Sequence, residues 1–261
     1  FEGGCYAKTI DLSEDNEPEI YRAIKTDALL ENIAHDADGN ADFYDTSKTQ
    51  NGRVSYPIYH IDNWHEPQMA GHPKNVIFLT CDAFGVLPPV SKLSSGQAMY
   101  QFLSGYTAKV AGTERGVDGV APTFSACYGA AFLTVHPTRY ADLLAKKLSE
   151  HDSSVFLVNT GWTGGAYGVG ERMSIKGTRA CIDSILDGSI HDATFTEDPV
   201  FGFDVPTELN GVPANVCNPR EAWADKAAFE VQAQELSKMF QDNFVQYTGP
   251  GVTDYTEYGP K

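Results

Sequence analysis

The chain has 261 residues, with 19 basic and 35 acidic side chains and a formal net charge of −16. Apolar residues make up 42% and charged residues 21%, which is typical of a globular chain and excludes a disordered one. The acidic balance argues against binding to nucleic acid or to an anionic membrane surface, and no apolar run reaches the roughly 20 residues of a membrane helix. We therefore expect a cytoplasmic protein that binds neither nucleic acid nor membranes.

The first fifty residues hold 12 acidic and 4 basic side chains, a run typical of a solvated face. Residues 5–10 are predicted to form a strand, and residues 18–24 a helix with Pro18 in its first turn. Residues 29–43 are predicted to form a hairpin that turns at residues 36–39.

Two strands are predicted next. Residues 55–61 alternate between apolar and polar side chains, and Pro57 indicates an edge strand or a strand end. Residues 76–80 are almost entirely apolar, which predicts a strand buried on both faces.

The later part alternates between helices and strands. Residues 137–150 are predicted to be a helix and residues 155–158 a buried strand, and a further helix spans residues 175–186. In the first of these helices the apolar stripe consists of Tyr140, Leu143, Leu144 and Leu148. This alternation predicts an α/β or α+β fold.

A long closing helix is predicted to begin at Asn218 and Pro219, as its N-cap and first residue. Its apolar positions include Phe229, Leu236, Phe240 and Phe244.

The five cysteines are widely spaced and form no C-x-x-C pair, so the pattern excludes zinc-ribbon and thioredoxin sites. Reduced thiols are expected. Cys127 has no basic neighbour in sequence that would lower its pKa, so it is not expected to be a nucleophile. His60 and His65 lack the zincin H-E-x-x-H pattern, and we interpret them as ordinary core or surface histidines.

The glycine-rich segment 161–170 lies between a predicted strand and a predicted helix, where phosphate-binding loops are found. It matches neither G-x-x-x-x-G-K-[ST] nor G-x-G-x-x-G, so the pattern alone favours a surface loop.

Isolated cations are more informative in so acidic a chain. Lys8, Arg53, Arg115 and Arg172 stand among glycine, threonine and aromatic residues. Phosphoryl transfer needs cations at fixed positions to neutralise negative charge. The alternative, that each forms a structural ion pair, stays open for any one of them taken alone.

Taken together, these segments and their order resemble the ATP-dependent phosphoenolpyruvate carboxykinases. The resemblance runs from the first residue nearly to the last. The motifs that carry it are residues 1–10, 53–63, 82–91, 112–116, 123–132 and 158–162.

The resemblance implies that residues 1–261 are most of the mononucleotide-binding C-terminal domain of the carboxykinase fold. In that family the P-loop, the metal-binding motifs and the N-terminal domain lie upstream of the segment that matches Phe1. Oxaloacetate and ATP are converted to phosphoenolpyruvate, CO2 and ADP in gluconeogenesis, with Mn²⁺ and Mg²⁺ whose ligands would lie outside this chain. The chain alone is expected to be inactive.

The family's site residues can be placed by motif. The resemblance implies that Lys8 contacts the ATP phosphates, and that Arg53 bridges the substrate and the γ-phosphate. Glu17 matches an acidic residue of the nucleotide site. The adenine pocket would consist of Phe132 as an apolar wall, Arg172 stacked on the base, and Met173 and Thr178 along its edge.

Two departures from the family pattern concern the adenine pocket: the glycine-rich segment is longer than in some bacterial members, and Met173 replaces a usual isoleucine.

Two other interpretations compete with the one in which the chain is half of a carboxykinase. One is a non-catalytic fragment with at most weak nucleotide binding, and the other is a kinase with an unrelated substrate.

Overall fold

The protein is described by a computed structural model covering residues 4–49, 51–110 and 119–261. The predicted motif that contains Arg115, and the first three residues, lie outside this described part. The chain divides into two compact units, Phe1–Gly71 with Val110–Gly119, and His72–Lys109 with Val120–Lys261.

The first unit is built on a small antiparallel sheet. Its elements in chain order are β1 (Gly4–Lys8), α1 (Pro18–Ala23), β2 (Leu29–Glu31), β3 (Ala34–His35), β4 (Ala41–Asp42) and β5 (Arg53–Pro57), followed by the 3-10 helix Ile58–His60. The sheet has the order β1-β5-β2, and β3 pairs with β4. One face of the sheet packs on α1 through Ala23, Val54 and Tyr56, which are all buried.

Strand β1 and helix α1 confirm the predictions, although β1 lies at residues 4–8 rather than 5–10. The predicted strand at residues 55–61 lies earlier, at Arg53–Pro57, because the chain turns into a 3-10 helix after Pro57. It is the central strand of its sheet, so the edge reading of Pro57 is wrong and the strand-end reading is correct.

The predicted hairpin is only partly correct. The turn at residues 36–39 joins β3 to β4, and the Asp36 carboxylate accepts hydrogen bonds from the backbone of Asp38 and Asn40. Strand β2, which was expected to belong to this hairpin, pairs with β5 instead.

From residue 75 onward the elements alternate more regularly. In chain order they are β6 (Asn75–Thr80), β7 (Val90–Leu93), α2 (Ser95–Ser104), β8 (Tyr106–Val110), β9 (Val120–Phe124), α3 (Pro137–His151), β10 (Ser154–Asn159), β11 (Trp162–Thr163), β12 (Glu171–Arg172), α4 (Ile175–Leu186), β13 (Phe195–Glu197), β14 (Asp204–Pro206), α5 (Ala214–Cys217), α6 (Pro219–Ala222) and α7 (Lys226–Phe244).

A mixed five-stranded sheet forms the centre of the second unit, in the order β13-β14-β7-β10-β6. Strands β10 and β6 are parallel, whereas β7 runs antiparallel to β10. Val155 and Leu157 belong to an aromatic-rich core with α2, α3 and α7. Phe156 and Val158 belong to a second core with α4. This confirms the predicted mixed α/β class.

Strand β10 is buried on both faces as predicted, but β6 is an edge strand whose Leu79 is 55% exposed. An apolar run alone does not distinguish an edge strand from a central one. No helix in the described ranges is long and apolar enough to cross a membrane.

Helices α3 and α4 confirm the predictions. In α3 the buried face is formed by Thr138, Ala141 and Leu148. Of the predicted apolar stripe, Leu148 is buried but Leu143 is exposed, so the buried face of the helix is rotated about its axis relative to the predicted face. The sequence reading missed α2, although Ser94 and Gln97 form a capping box at its start.

The predicted start of the closing helix is wrong. Pro219 begins the separate short helix α6, and α7 starts at Lys226 with Asp225 as its N-cap. The Asp225 carboxylate accepts hydrogen bonds from Ala227 and Ala228, a more favourable cap than Asn218 provides. The four predicted apolar positions of α7 are all buried.

Candidate functional site

A cavity of about 190 Å³ lies beside the glycine-rich segment in the second unit. It brings together Arg172, Met173 and Thr178, three of the residues singled out from the sequence. Its remaining lining residues are Pro89, Thr163, Glu171, Ser174, Gly177, Val212, Pro213 and Val216. The cavity therefore combines an apolar wall with hydroxyl, carboxylate and guanidinium groups, as small-molecule sites do.

The glycine-rich segment is closed into a hairpin by β11 and β12, which pair Trp162 with Arg172. The Arg172 guanidinium lies 5.5 Å from the centre of the Trp162 ring, and its Nε donates a hydrogen bond to the Thr160 carbonyl at 3.1 Å. These contacts fix a cation at the cavity wall, where it can stack on a planar ligand.

Helix α4 begins directly at the cavity. The Ser174 hydroxyl caps it by accepting a hydrogen bond from the Gly177 N–H at 3.0 Å. Thr178 lies in the first turn and its backbone N–H donates to the Ser174 carbonyl. Its hydroxyl can donate to and accept from a ligand edge.

Gly161 allows the hairpin to approach the end of β6 closely. A Cβ atom at this position would lie 2.2 Å from the carbonyl oxygen of Asp82 and 2.3 Å from its nitrogen, which no side chain allows. The Gly161 carbonyl accepts a hydrogen bond from the Met173 N–H at 2.8 Å. Gly161 therefore links the end of the sheet to the cavity lining.

A buried carboxylate organises the turn that precedes Pro89. Asp82 accepts hydrogen bonds from the backbone N–H groups of Phe84, Val86 and Leu87 and from the Tyr106 hydroxyl. Burial raises the pKa of Asp82, while these hydrogen bonds act to lower it. The turn leads to Pro89, which lines the cavity.

All five cysteines, which lie in the described part, are free thiols, as predicted. Cys81 lies 4.0 Å from an Arg172 nitrogen, but burial raises the pKa of this thiol in spite of the cation. Burial also raises the pKa of Cys127 to about 11, so it is protonated at neutral pH. Neither thiol has the low pKa of a nucleophile.

In the first unit the structure places Lys8 directly opposite Arg53, across β1 and β5. The Arg53 guanidinium lies 5.0 Å from the centre of the Tyr6 ring, and its Nε donates to the Asn51 side-chain oxygen at 3.1 Å. Glu31 faces Arg53 from the other side, on β2. Two cations and one carboxylate thus share one face of this sheet.

The Tyr6 hydroxyl donates a hydrogen bond to the Glu31 carboxylate, and this bond raises the pKa of Tyr6. The planar fork of Arg53 is suited to bidentate contact with phosphate or carboxylate.

The remaining two predicted residues, Glu17 and Phe132, do not line the cavity. Glu17 is the N-cap residue of α1, and its side chain makes no capping hydrogen bond. Phe132 ends the 3-10 helix Ala130–Phe132 and is 86% exposed, outside the lining of the cavity. An exposed aromatic ring is available to a ligand but is not held in place by the core.

Within the described ranges no group of three or more histidine, cysteine, aspartate or glutamate side chains could hold a metal ion. His60 is buried, and its Nδ1 lies 2.8 Å from the Ala23 carbonyl, which gives it a structural role.

The sequence profile of the family described as phosphoenolpyruvate carboxykinase matches residues 1–215. The chain belongs to this family. It is 58% identical, over all of its length, to phosphoenolpyruvate carboxykinase (ATP) of Sulfurimonas denitrificans. It is 61% identical to the enzyme of the same name from Campylobacter lari over 95% of the chain.

The chain spans about half the length of the carboxykinases that it matches, 50% of the Sulfurimonas protein and 47% of the Campylobacter lari protein. Family membership was thus recognised correctly from the motifs. Asp82 and Asn159 were not singled out as individual residues, although both lie in motifs that carry the resemblance. Their importance depends on hydrogen bonds to distant segments, which no local pattern reveals.

Proposed function

We propose that this chain is the nucleotide-binding part of an ATP-dependent phosphoenolpyruvate carboxykinase, which converts oxaloacetate and ATP to phosphoenolpyruvate, CO2 and ADP. The observation that carries the proposal is the 58% identity, over the whole chain, to relatives that bear this name. The proposal includes the pathway, gluconeogenesis, and a cytoplasmic location.

The cavity in the second unit supports a role in adenine binding. We assign the stacking contact to Arg172, the apolar edge to Met173 and a hydrogen bond to Thr178, because all three line the cavity. Phe132 does not line the cavity, and we assign it to the nucleotide site on the family motif alone. Methionine in place of isoleucine keeps the volume of this edge nearly constant.

The opposed cations of the first unit support a role in phosphoryl transfer. In the proposed reaction, loss of CO2 leaves the bonding electron pair on an enolate, whose oxygen attacks the γ-phosphorus of ATP and displaces ADP. Both reactants are anions, so cations between them lower the barrier. We assign Lys8 to the transferred phosphoryl group, Arg53 to the substrate and γ-phosphate, and Glu17 to the nucleotide site.

The proposal includes Mn²⁺ and Mg²⁺ only because the carboxykinase family implies them. The described residues offer no metal-binding group, so no step is assigned to a metal here. The proposal places the ligands, together with the P-loop, in the other half of the complete protein.

The complete protein, carrying its upstream half, tests the proposal. Phosphoenolpyruvate should form from oxaloacetate and ATP in the presence of Mn²⁺, and Lys8→Met should reduce kcat on the order of 100-fold. Phosphoenolpyruvate is measured by ³¹P NMR. Absence of product above a no-protein control would overturn the proposal.

A further inference from the structure

Two segments that are remote from each other in sequence contribute to the cavity lining. Pro89 follows the turn after β6, and Arg172 and Met173 follow the glycine-rich segment. The relative position of these segments shapes the cavity, so a residue that contacts both of them positions its lining.

Asn159, the last residue of β10, makes such contacts. It is 1% exposed. Its side-chain oxygen accepts hydrogen bonds from the Asp82 N–H at 3.0 Å and from the Gly161 N–H at 2.8 Å. Its side-chain nitrogen donates to the Leu87 carbonyl at 2.9 Å, and its backbone N–H donates to the Pro89 carbonyl at 3.0 Å.

These bonds continue into the cavity lining. Gly161, which is held by Asn159, accepts the hydrogen bond of Met173 through its carbonyl. The intervening Thr160 carbonyl accepts the hydrogen bond from Arg172. One amide thus connects the turn that leads to Pro89 with the backbone that holds Arg172 and Met173.

We infer that Asn159 is a positioning residue of the nucleotide site, whose side-chain amide fixes the position of the Pro89 segment relative to Arg172 and Met173. The inference deepens the proposed function and rests on it, because the ligand is taken to be an adenine nucleotide. Asn159 does not itself line the cavity. It acts through Gly161 and the turn at Leu87.

Nucleotide binding to the complete protein tests the inference. Asn159→Ala should weaken ADP binding roughly 10-fold, because loss of the hydrogen bonds to Asp82, Leu87 and Gly161 lets the two lining segments shift relative to each other. Inorganic tripolyphosphate, which has no base, should bind unchanged. Both dissociation constants are measured by calorimetry. Equal weakening of both ligands, or of neither, overturns the inference.

Asn75→Ala is the matched control. Asn75 begins β6, at the end of the sheet away from the cavity, and its side-chain nitrogen donates to the Ile185 carbonyl at 3.3 Å. This variant should leave ADP affinity unchanged. The same loss of affinity in both variants would show a general effect on folding and would overturn the inference.

Asn159→Asp adds a readout that a purely structural role would not give. A protonated carboxyl can donate to the Leu87 carbonyl as the amide does, whereas the ionised form is buried near Asp82 and cannot. ADP affinity of this variant should rise as the pH is lowered, relative to the unsubstituted protein. The ionisable groups around this site are Asp82, Tyr106, Cys81 and Arg172, and they are the same in both proteins. A pH profile that parallels that of the unsubstituted protein overturns the inference.

Hydrogen exchange separates this inference from the proposed function. In Asn159→Ala the amides of Gly161 and Met173 should exchange faster than in the unsubstituted protein, because the acceptor of the Gly161 N–H is lost. If the unsubstituted protein binds no ADP, the proposed function fails and the exchange rates alone decide the inference. Unchanged exchange at both amides overturns it.

Discussion

At the scale of single residues, Arg53 is the side chain whose chemistry is most clearly defined by its surroundings. It faces Lys8 on one neighbouring strand and Glu31 on the other, and its guanidinium stacks on Tyr6. These contacts fix the orientation of the guanidinium plane before any ligand binds. A preoriented cation is more effective against developing negative charge than a mobile one.

Substitution of Arg53 should therefore affect turnover far more than substitution of a cysteine. In the complete enzyme we expect Arg53→Ala to lower kcat/KM by on the order of 100-fold or more, and Arg53→Lys to restore part of the loss, because lysine keeps the charge but not the planar fork. The measurement is initial-rate kinetics of phosphoenolpyruvate formation.

Cys127→Ala is the control for that experiment. The Cys127 thiol has a pKa raised to about 11 and its Sγ lies 3.7 Å from the Pro137 carbonyl, so it is neutral and partly enclosed. Its removal should leave kcat/KM almost unchanged. Equal losses in Arg53→Ala and Cys127→Ala would contradict the assigned roles.

At the scale of elements, the glycine-rich segment is the feature that the structure explains best. It is a hairpin closed by β11 and β12 and packed against the end of β6, and its tip is exposed at Tyr167 and Val169. Two different physical reasons require glycine within it. Gly161 has no room for a side chain, whereas Gly168 has a φ of +88° and no atom within 4 Å of the position that a Cβ would occupy.

The two glycines should respond differently to alanine. Gly161→Ala should lower the free energy of unfolding by about 3 kcal/mol, because the new methyl group displaces the Asp82 backbone. Gly168→Ala should cost about 1 kcal/mol, the penalty of the left-handed backbone alone. Urea denaturation of both variants measures this difference, and equal costs would show that close packing at Gly161 is unimportant.

The interpretation of the elements from sequence succeeded where one physical signal dominated. Helix α4 was predicted with the correct bounds because its apolar periodicity continues over three turns, and β10 because its apolar run is buried on both faces. Helix α2 was missed because its buried face includes Gln101 and Ser104, which weaken the apolar pattern.

At the scale of the whole molecule, the chain corresponds to about half of the carboxykinases that it resembles. The family's reaction brings two polyanions together, and the described residues of this chain supply cations but no metal-binding cluster. A catalyst for that reaction needs additional positive charge, because the repulsion between the reactants is otherwise not offset.

We therefore expect the 261-residue chain by itself to show no turnover of oxaloacetate with ATP and Mn²⁺. Phosphoenolpyruvate formation is measured beside a no-protein blank and beside the complete protein as the positive control. Product formation by the chain alone, above the blank, would contradict the division of the active site between the two halves.

The amino-acid sequence by itself determined the family, the mixed α/β class and three residues that line the cavity, Arg172, Met173 and Thr178. These features depend on residue identity and local periodicity, which are present in the linear order. Only the tertiary structure decided that Lys8 faces Arg53, that Gly161 contacts Asp82, and that Asn159 joins two distant segments. Strand register and buried hydrogen bonds depend on which segments pack together in the fold. A side chain such as Asn159 has its role only because folding brings its hydrogen-bond partners next to it from distant parts of the chain.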